Sequence, residues 1–579
     1  MSQTDDRDAP ATTDPAPATT TGDDARSSML SSSAVMAAGT LFSRISGFLR
    51  AGLLAAALGL ATVQAEVFTI ANTIPNMLYI LLAGGVFNAV LVPQLVRAMK
   101  EGEAEGEAYT SRVITVAGLF LLTVTVLLVI AAPLLMRLIL DAKYFDDPAL
   151  AQAQADAILL ARLCLPQVFF YGMFVLLGQV LNARGTFGPM MWAPIANNVV
   201  SVVVLTAYLV VFGAGGESTT SLTPGQVLLL GVGSTIGIAA QLLVLAPYMR
   251  ASGYTWRFRL DLRGSGLGHT LRLGSWTIAF VIVNQIAYTI VIRLASSGPA
   301  DAAASGAGET GTGATVYTFA FMLVMVPHSI ATVSLATAML PRLSRAAAAD
   351  DLREVGRGVS STMRSSYVVI VPFVLLLPLI APLLANITWG WGASSQDYRA
   401  GIPALQLFAA GMFFFTAHYL VLRGFYALEQ TRRVFWVQCV IAVVNIGLAI
   451  GLVTTGPASQ TAARLVVAYA CAYAVGAVLS FAVLSREVGG LEPRRLLRFA
   501  VRAFIAAGLA TAVVALLGLG ADQVWEGDSK LRAIVLLAVF GLVQLTVYAV
   551  LARLMRIEEV VEVVDLLTRR IRGRLPGRA

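Results

Sequence analysis

The chain has 579 residues, of which 57% are hydrophobic and only 13% charged, with a formal net charge of +8 and a mean hydropathy of +0.76. A soluble globular chain carries about 25% charged residues, so these proportions exclude a water-soluble protein and make lipid the natural solvent. The basic excess lies almost wholly on arginine, since Lys100, Lys143 and Lys530 are the only lysines, and without a basic soluble domain it gives no ground for nucleic-acid binding.

Residues 1–27 are rich in Thr, Asp, Pro and Ala and nearly free of large apolar side chains. They cannot bury enough surface to fold and are expected to form a disordered cytoplasmic tail. From Ser31 onward apolar runs of about twenty residues or more recur, each able to cross a hydrocarbon core of roughly 30 Å. The expected spans are 31–60, 66–99, 109–140, 152–183, 187–213, 224–249, 268–297, 314–346, 360–388, 400–427, 432–455, 460–485, 498–520 and 530–555. A segment in lipid must satisfy its own backbone, and these runs are too long for barrel strands. The fold class is therefore an all-α membrane protein of about fourteen spanning helices.

Arginine placement predicts orientation. Loops after even-numbered spans hold Arg97 and Lys100; Arg184; Arg250, Arg257, Arg259 and Arg263; Arg342, Arg345, Arg353 and Arg357; Arg432 and Arg433; and Arg486, Arg494 and Arg495. The intervening loops lean acidic, with Asp141, Asp146, Asp147, Glu217, Asp301, Glu309, Asp522, Glu526 and Asp528. The arginine-rich face is expected to be cytoplasmic, with both termini on that side of a bacterial inner membrane.

The segment from Ala89 through Val92-Pro93-Gln94-Leu95 to Arg97-Ala98 echoes Thr337 through Leu340-Pro341-Arg342-Leu343 to Arg345-Ala346, at the ends of spans two and eight. Ala183 and Trp192 are echoed by Ala427 and Trp436, again six spans on. A shift of six spans preserves orientation, so two parallel six-helix lobes are expected. They would occupy 28–250 and 267–487, joined by a cytoplasmic linker 251–266 and followed by two further helices in 488–556 and a basic cytoplasmic tail 557–579.

Charge at bilayer depth needs a reason. On the first span, Thr40, Ser43, Arg44, Gly47 and Arg50 share an arc of roughly 120°, which reads as one wall of a water-filled, anion-attracting cavity. On the second, Glu66, Thr69, Asn72, Thr73, Asn76 and Tyr79 fall within about 140°. There Glu66 either pairs with a first-helix arginine or sits in the outer loop. Pro75 interrupts that helix and Gly84-Gly85 follow, a candidate hinge. Asn284, Gln285 and His328 are candidates for the C-lobe cavity, with hydrogen bonding between helices as the alternative. Arg293 is expected to snorkel from its helix end. Cys164, Cys439 and Cys471 have no metal-ligand spacing and read as small buried hydrophobes. The chain carries no nucleotide-binding loop, His-Glu-x-x-His or aspartate-rich cluster, so neither a metal, a cofactor nor an enzymatic activity is expected.

Leu41-Phe42-Ser43-Arg44-Ile45-Ser46-Gly47-Phe48-Leu49-Arg50, then Ala65-Glu66-Val67-Phe68, Ile74-Pro75-Asn76 and Gly84-Gly85-Val86-Phe87, resemble motifs of the MurJ (MviN) family, as do Val326-Pro327-His328 and Pro341-Arg342-Leu343-Ser344-Arg345. The resemblance implies the fold of the multidrug/oligosaccharidyl-lipid/polysaccharide exporter superfamily, two lobes around a central cavity that opens alternately to either side. It implies two C-terminal helices lining a groove for a lipid tail, and lipid II, the undecaprenyl-diphosphate-linked peptidoglycan precursor, as cargo. Ser43, Arg44 and Arg50 match positions thought to face the head group, and Glu66 stands at the family's acidic position. By that likeness, Arg44 and Arg50 would hold the diphosphate. Ser43, Glu66, Asn72, Asn76 and Tyr79 would shape the sugar-peptide region, and Gly47, Pro75, Gly84 and Gly85 would permit bending. Tyr79-Ile80 and the apolar surroundings of Met322 stand where the family often has basic residues. Expected partners are lipid II or a related polyprenyl-diphosphate glycan, membrane lipids, and peptidoglycan-synthesis or division proteins. The alternatives are a flippase for another polyprenyl-linked glycan and an inactive paralogue serving as an envelope-synthesis scaffold.

Overall fold

A computed structural model describes residues 39, 42–81, 103–186, 188–215, 220–253, 257–259, 267–306, 310–525 and 527–561. Helix α1 covers 42–58 and α2 Val63–Ile80. Next come α3 (Glu103–Ile130, continued by Ala132–Ile139), α4 (Ala151–Cys164 and Gln167–Ala183), α5 (Gly188–Phe212) and α6 (Pro224–Leu243, continued by Leu245–Ala251). The second half contains α7 (Leu267–Ser305), α8 (Ala314–Val324, a π-turn His328–Thr332, then Val333–Ala348), α9 (Leu352–Trp389), α10 (Ile402–Ala427), α11 (Thr431–Thr454) and α12 (Thr461–Glu487). Helices α13 (Pro493–Val524) and α14 (Lys530–Leu554) complete the series. No strand occurs among the described residues.

Each expected span thus contains helix, but fewer qualify as crossings. Among the described residues eleven helices are long and apolar enough to cross a membrane, and twelve if the bent α8 is one span. The shortfall falls on α1 and α2, because much of the expected spans 31–60 and 66–99 lies outside the described residues. Gly84, Gly85 and the Val92-Pro93 half of the repeat also lie outside them.

Interruptions follow proline. Pro166, which has no N–H to donate and crowds the carbonyl one turn back, separates the two parts of α4. Pro327 precedes the π-turn of α8, where the two segments meet at 49°. Pro75 and Pro341, by contrast, lie inside continuous helix.

Lipid supplies no hydrophobic drive between helices, so small residues that let backbones approach carry much of the packing. A Cβ on Gly172 of α4 would lie 2.5 Å from a Leu121 methyl of α3. Gly172→Val is therefore expected to destabilise the N-lobe by about 1–3 kcal/mol through overpacking, seen as a lower thermal midpoint in detergent.

In the C-lobe, α9 packs against α10, α13 and α14. Buried Gln544 of α14 reaches Thr511 of α13 at 3.1 Å and the Pro372 carbonyl of α9 at 3.4 Å. Around the π-turn lies an aromatic cluster: His328 meets Phe415 and Tyr419 edge-on at 4.9 and 5.0 Å. Of the cysteines Cys164 is buried, Cys439 intermediate and Cys471 exposed. The expectation of three buried thiols holds at Cys164 alone and fails most clearly at Cys471, whose helix turns that face outward.

Candidate functional site

Hydrogen bonds between the lobes among the described residues gather at the face carrying the acidic loops. Deeper between the lobes is a cavity of about 140 Å³. Arg50 of α1, Asn72 and Thr73 of α2, Gln167 and Tyr171 of α4, and Thr318 of α8 are among its lining residues. Its wall mixes polar and apolar side chains, Arg50 is the one charged residue in it, and no carboxylate lines it. Arg50 is half-buried. Asn72 is held by Gln167, whose Nε2 donates to its Oδ1 at 3.0 Å.

Toward the arginine-rich face a second pocket, of about 310 Å³, is lined by Ser43, Arg44, Gly47 and Phe48 of α1, by Met190, Met191 and Pro194 of α5, and by Met322. Met322 lines both pockets. Arg44 and Arg50 lie six residues apart on α1, about 9 Å along the axis at 1.5 Å per residue. Asn198 of α5 fixes the helix between them, donating to the Ser43 carbonyl at 3.0 Å and to Ser46 Oγ at 2.9 Å.

The acidic-loop face is closed by a latch built on Glu66. This residue is 1% exposed and neither pairs with an arginine nor lies in a loop. Its Oε1 accepts from Ala314 N at 2.6 Å, and its Oε2 from Thr315 N at 3.0 Å and Thr315 Oγ1 at 3.1 Å. These amides belong to the first turn of α8, whose N-cap is Gly313, with no side chain to serve them. The carboxylate of one lobe therefore caps a helix of the other, where unpaired N–H groups and the helix dipole favour an anion. Gly313 makes the approach possible, since a Cβ there would stand 2.5 Å from Glu66 Oε1.

Other contacts reinforce this closure. Asp397, between α9 and α10, accepts from Leu60 N at 2.9 Å and Ala61 N at 2.8 Å, where α1 has ended. Burial pushes its carboxyl above the ordinary value, against the pull of these two amides. Ser296 of α7 accepts from Asp141 N at 2.8 Å, and Lys143 pairs with Asp301. Arg293, expected to snorkel, donates to the carbonyls of Arg137, Leu138 and Leu140 at 2.7–2.9 Å and so caps the end of α3.

The remaining predicted residues are scattered. Tyr79 packs on Tyr171 with ring centres 4.8 Å apart, and Asn76 is exposed. Gln285 bridges the lobes, donating to the Met77 carbonyl at 2.6 Å. Asn284 accepts from Gln438 at 3.0 Å within the C-lobe. His328 sits in the aromatic cluster with Nδ1 2.9 Å from Thr416 Oγ1. None of these three lines the two pockets. Sequence reasoning missed Gln167, Tyr171, Asn197 and Ser234 of the cavity wall and Asp397 of the closure. The run Asn197-Asn198, amid apolar α5, was the one legible signal for the α5 wall.

Residues 54–538 match a family model described as lipid II flippase MurJ. A Rhizobium tropici protein described as "probable lipid II flippase MurJ" is 26% identical, the match covering 71% of this chain and 73% of that protein. A Thermotoga maritima protein of the same description is 24% identical over 91% of this chain and 96% of its own. Among solved structures, a lipid II flippase MurJ in an inward closed conformation superposes with a TM-score of 0.67 at 17% identity, covering 90% of this chain and 98% of that one. An inward-facing multidrug transporter of the MATE family gives 0.59 at 14% identity, over 78% of this chain and 95% of the other. At such identities the two superpositions speak to fold alone.

Proposed function

The chain belongs to the MurJ family of lipid II flippases, and on that premise we propose how its own residues carry the cargo. It is a transporter, not a catalyst, and moves lipid II across the membrane by alternating access between its lobes. The acidic-loop face is the outer side of the cytoplasmic membrane and the arginine-rich face the inner one, with both termini inside.

The observation that carries the residue assignment is the cavity in which Arg50 is the one charged lining residue. A diphosphate crossing hydrocarbon is prohibitively costly unless fixed cations meet it, and guanidinium offers paired donors to phosphate oxygens. Arg44, nearer the inner face, receives the diphosphate first, and Arg50 holds it about two turns deeper. Ser43, Asn72 and Gln167 offer hydrogen bonds to sugar and peptide, while Glu66 belongs to the outer gate. Drug-sized ligands alone need pockets of about 300–1,000 Å³, so a cavity of about 140 Å³ cannot hold a disaccharide-pentapeptide. The lobes must part on the inner side before the cargo enters. Helices α13 and α14 guide the polyprenyl tail.

Native mass spectrometry of the wild type and an Arg44→Ala/Arg50→Ala variant, each titrated with lipid II and with an undecaprenyl-phosphate-linked sugar, tests this reading. The wild type should prefer lipid II and the variant should lose that preference. Equal binding by both proteins would overturn the arginine assignment.

A further inference from the structure

We propose that the N-lobe carries a second lipid site, for an anionic phospholipid of the inner leaflet, on the flank formed by α3, α4 and α6. This site is separate from the central cavity and shares no lining residue with it. Its placement in the inner leaflet rests on the orientation proposed above.

The flank holds an apolar groove of about 610 Å³, with Ile114, Gly118 and Leu122 of α3, Phe169 and Met173 of α4 and Met249 of α6 along its walls. Leu119 and Leu122 at its edge are 43% and 49% exposed, so in a bilayer the groove opens onto hydrocarbon. An acyl chain is what fills it.

The end of the groove toward the inner face is cationic. Arg250 and Phe258 complete its lining. Residues 257–259 of the connection between the lobes lie along α3, where Arg257 N and Arg259 N each donate at 3.4 Å, to Ser111 Oγ and Thr115 Oγ1 respectively. Alternate amides thus face α3, as in an extended strand. The side chains of Arg250, Arg257 and Arg259 are exposed, and no salt bridge engages them among the described residues. Glu107, one turn before Ser111, is engaged by Arg184 at 3.7 Å.

The sequence of this connection fits the same reading. Tyr254, Trp256, Phe258, Leu260 and Leu262 alternate with Thr255, Arg257, Arg259, Asp261 and Arg263. Within 257–259, this alternation puts Phe258 on one face and Arg257 and Arg259 on the other. Aromatic rings favour the membrane-water interface, and juxtamembrane arginines attract anionic head groups. Residues 257–259 therefore lie over the end of the groove, with the chain of the lipid in it and the phosphate held by the guanidinium forks of Arg250, Arg257 and Arg259. Bound lipid would hold residues 257–259 against α3.

The test uses the full-length protein in detergent without lipid II. Native mass spectrometry would compare binding of phosphatidylglycerol and phosphatidylcholine to the wild type and to an Arg250→Gln/Arg257→Gln/Arg259→Gln variant. A juxtamembrane cation contributes about fivefold in affinity for an anionic surface, so the wild type should favour phosphatidylglycerol by roughly 100-fold and the variant by no more than a few-fold. Gly118→Leu, which fills the groove and leaves the arginines, should weaken both lipids. An unchanged thermal midpoint in phosphatidylcholine would show that the variants are folded. Equal binding of the two lipids by the wild type, or a preference that survives the triple substitution, would overturn the proposal. Lipid II binding by the triple variant, measured separately, should equal that of the wild type.

Discussion

Replacing Arg50 with alanine is expected to lower lipid II translocation in proteoliposomes by about 30-fold or more, with little change in the amount of folded protein. The magnitude follows from the environment. Removing one partner of a desolvated, hydrogen-bonded charge pair costs about 2–5 kcal/mol, and each 1.4 kcal/mol is tenfold. Arg50 is the one cation among the residues lining the cavity, so no lining neighbour can replace it. The resting protein should tolerate the change, because no carboxylate of the cavity wall is left unpaired. Arg50→Lys keeps the charge but loses the planar fork, and an intermediate loss is expected. Wild-type translocation by Arg50→Ala in matched proteoliposomes would remove Arg50 from the transport path.

The second large effect is expected at the closure of the acidic-loop face. Glu66→Ala removes an acceptor that serves two amides and one hydroxyl of α8. Hydrogen bonds to a charged group contribute about 1.5–3 kcal/mol each. Part of that returns when water reaches the freed amides, leaving a shift of about 2–4 kcal/mol toward the open gate. Spin labels at Ala142 and Ala304, exposed on opposite sides of the closure, would report it. The wild type should give one short distance, and Glu66→Ala should add a long one as the major population. Glu66→Gln keeps one acceptor oxygen but puts an NH2 donor in place of the other, and should lie between them. Gly313→Ala should move in the same direction as Glu66→Ala, since its methyl would displace the carboxylate. A single short distance in Glu66→Ala would mean that Asp397 and the remaining contacts suffice to close the gate.

Both expectations depend on residues that the sequence made visible, yet it placed them unequally. Arg50 was legible because a guanidinium inside an apolar helix has few roles, and its position on the stripe with Ser43, Arg44 and Gly47 aimed it inward. Glu66 was visible as an acid at a helix start, but its partners are backbone amides of α8, 248 and 249 residues away. No pattern of residue types marks a backbone donor. The same applies to Asp397, whose partners are amides 336 and 337 residues distant. Asn284 and His328 looked like cavity residues because polar groups in a span are rare. Hydrogen bonding to Gln438 and Thr416 satisfies them within the C-lobe instead.

The sequence by itself determined the solvent, the class of fold and the family, and it singled out the first-helix arginines as candidates for the transport path. These rest on local facts: hydropathy over about twenty residues, charge in the loops, and 100° of rotation per helical residue. Tertiary structure alone decided which polar residues share a cavity, and that Glu66 and Asp397 hold the acidic-loop face closed. It also set the groove of α3, α4 and α6 beside Arg250 and residues 257–259. Those outcomes depend on which faces of distant helices meet, and in lipid that is settled by close packing and backbone hydrogen bonds between segments hundreds of residues apart.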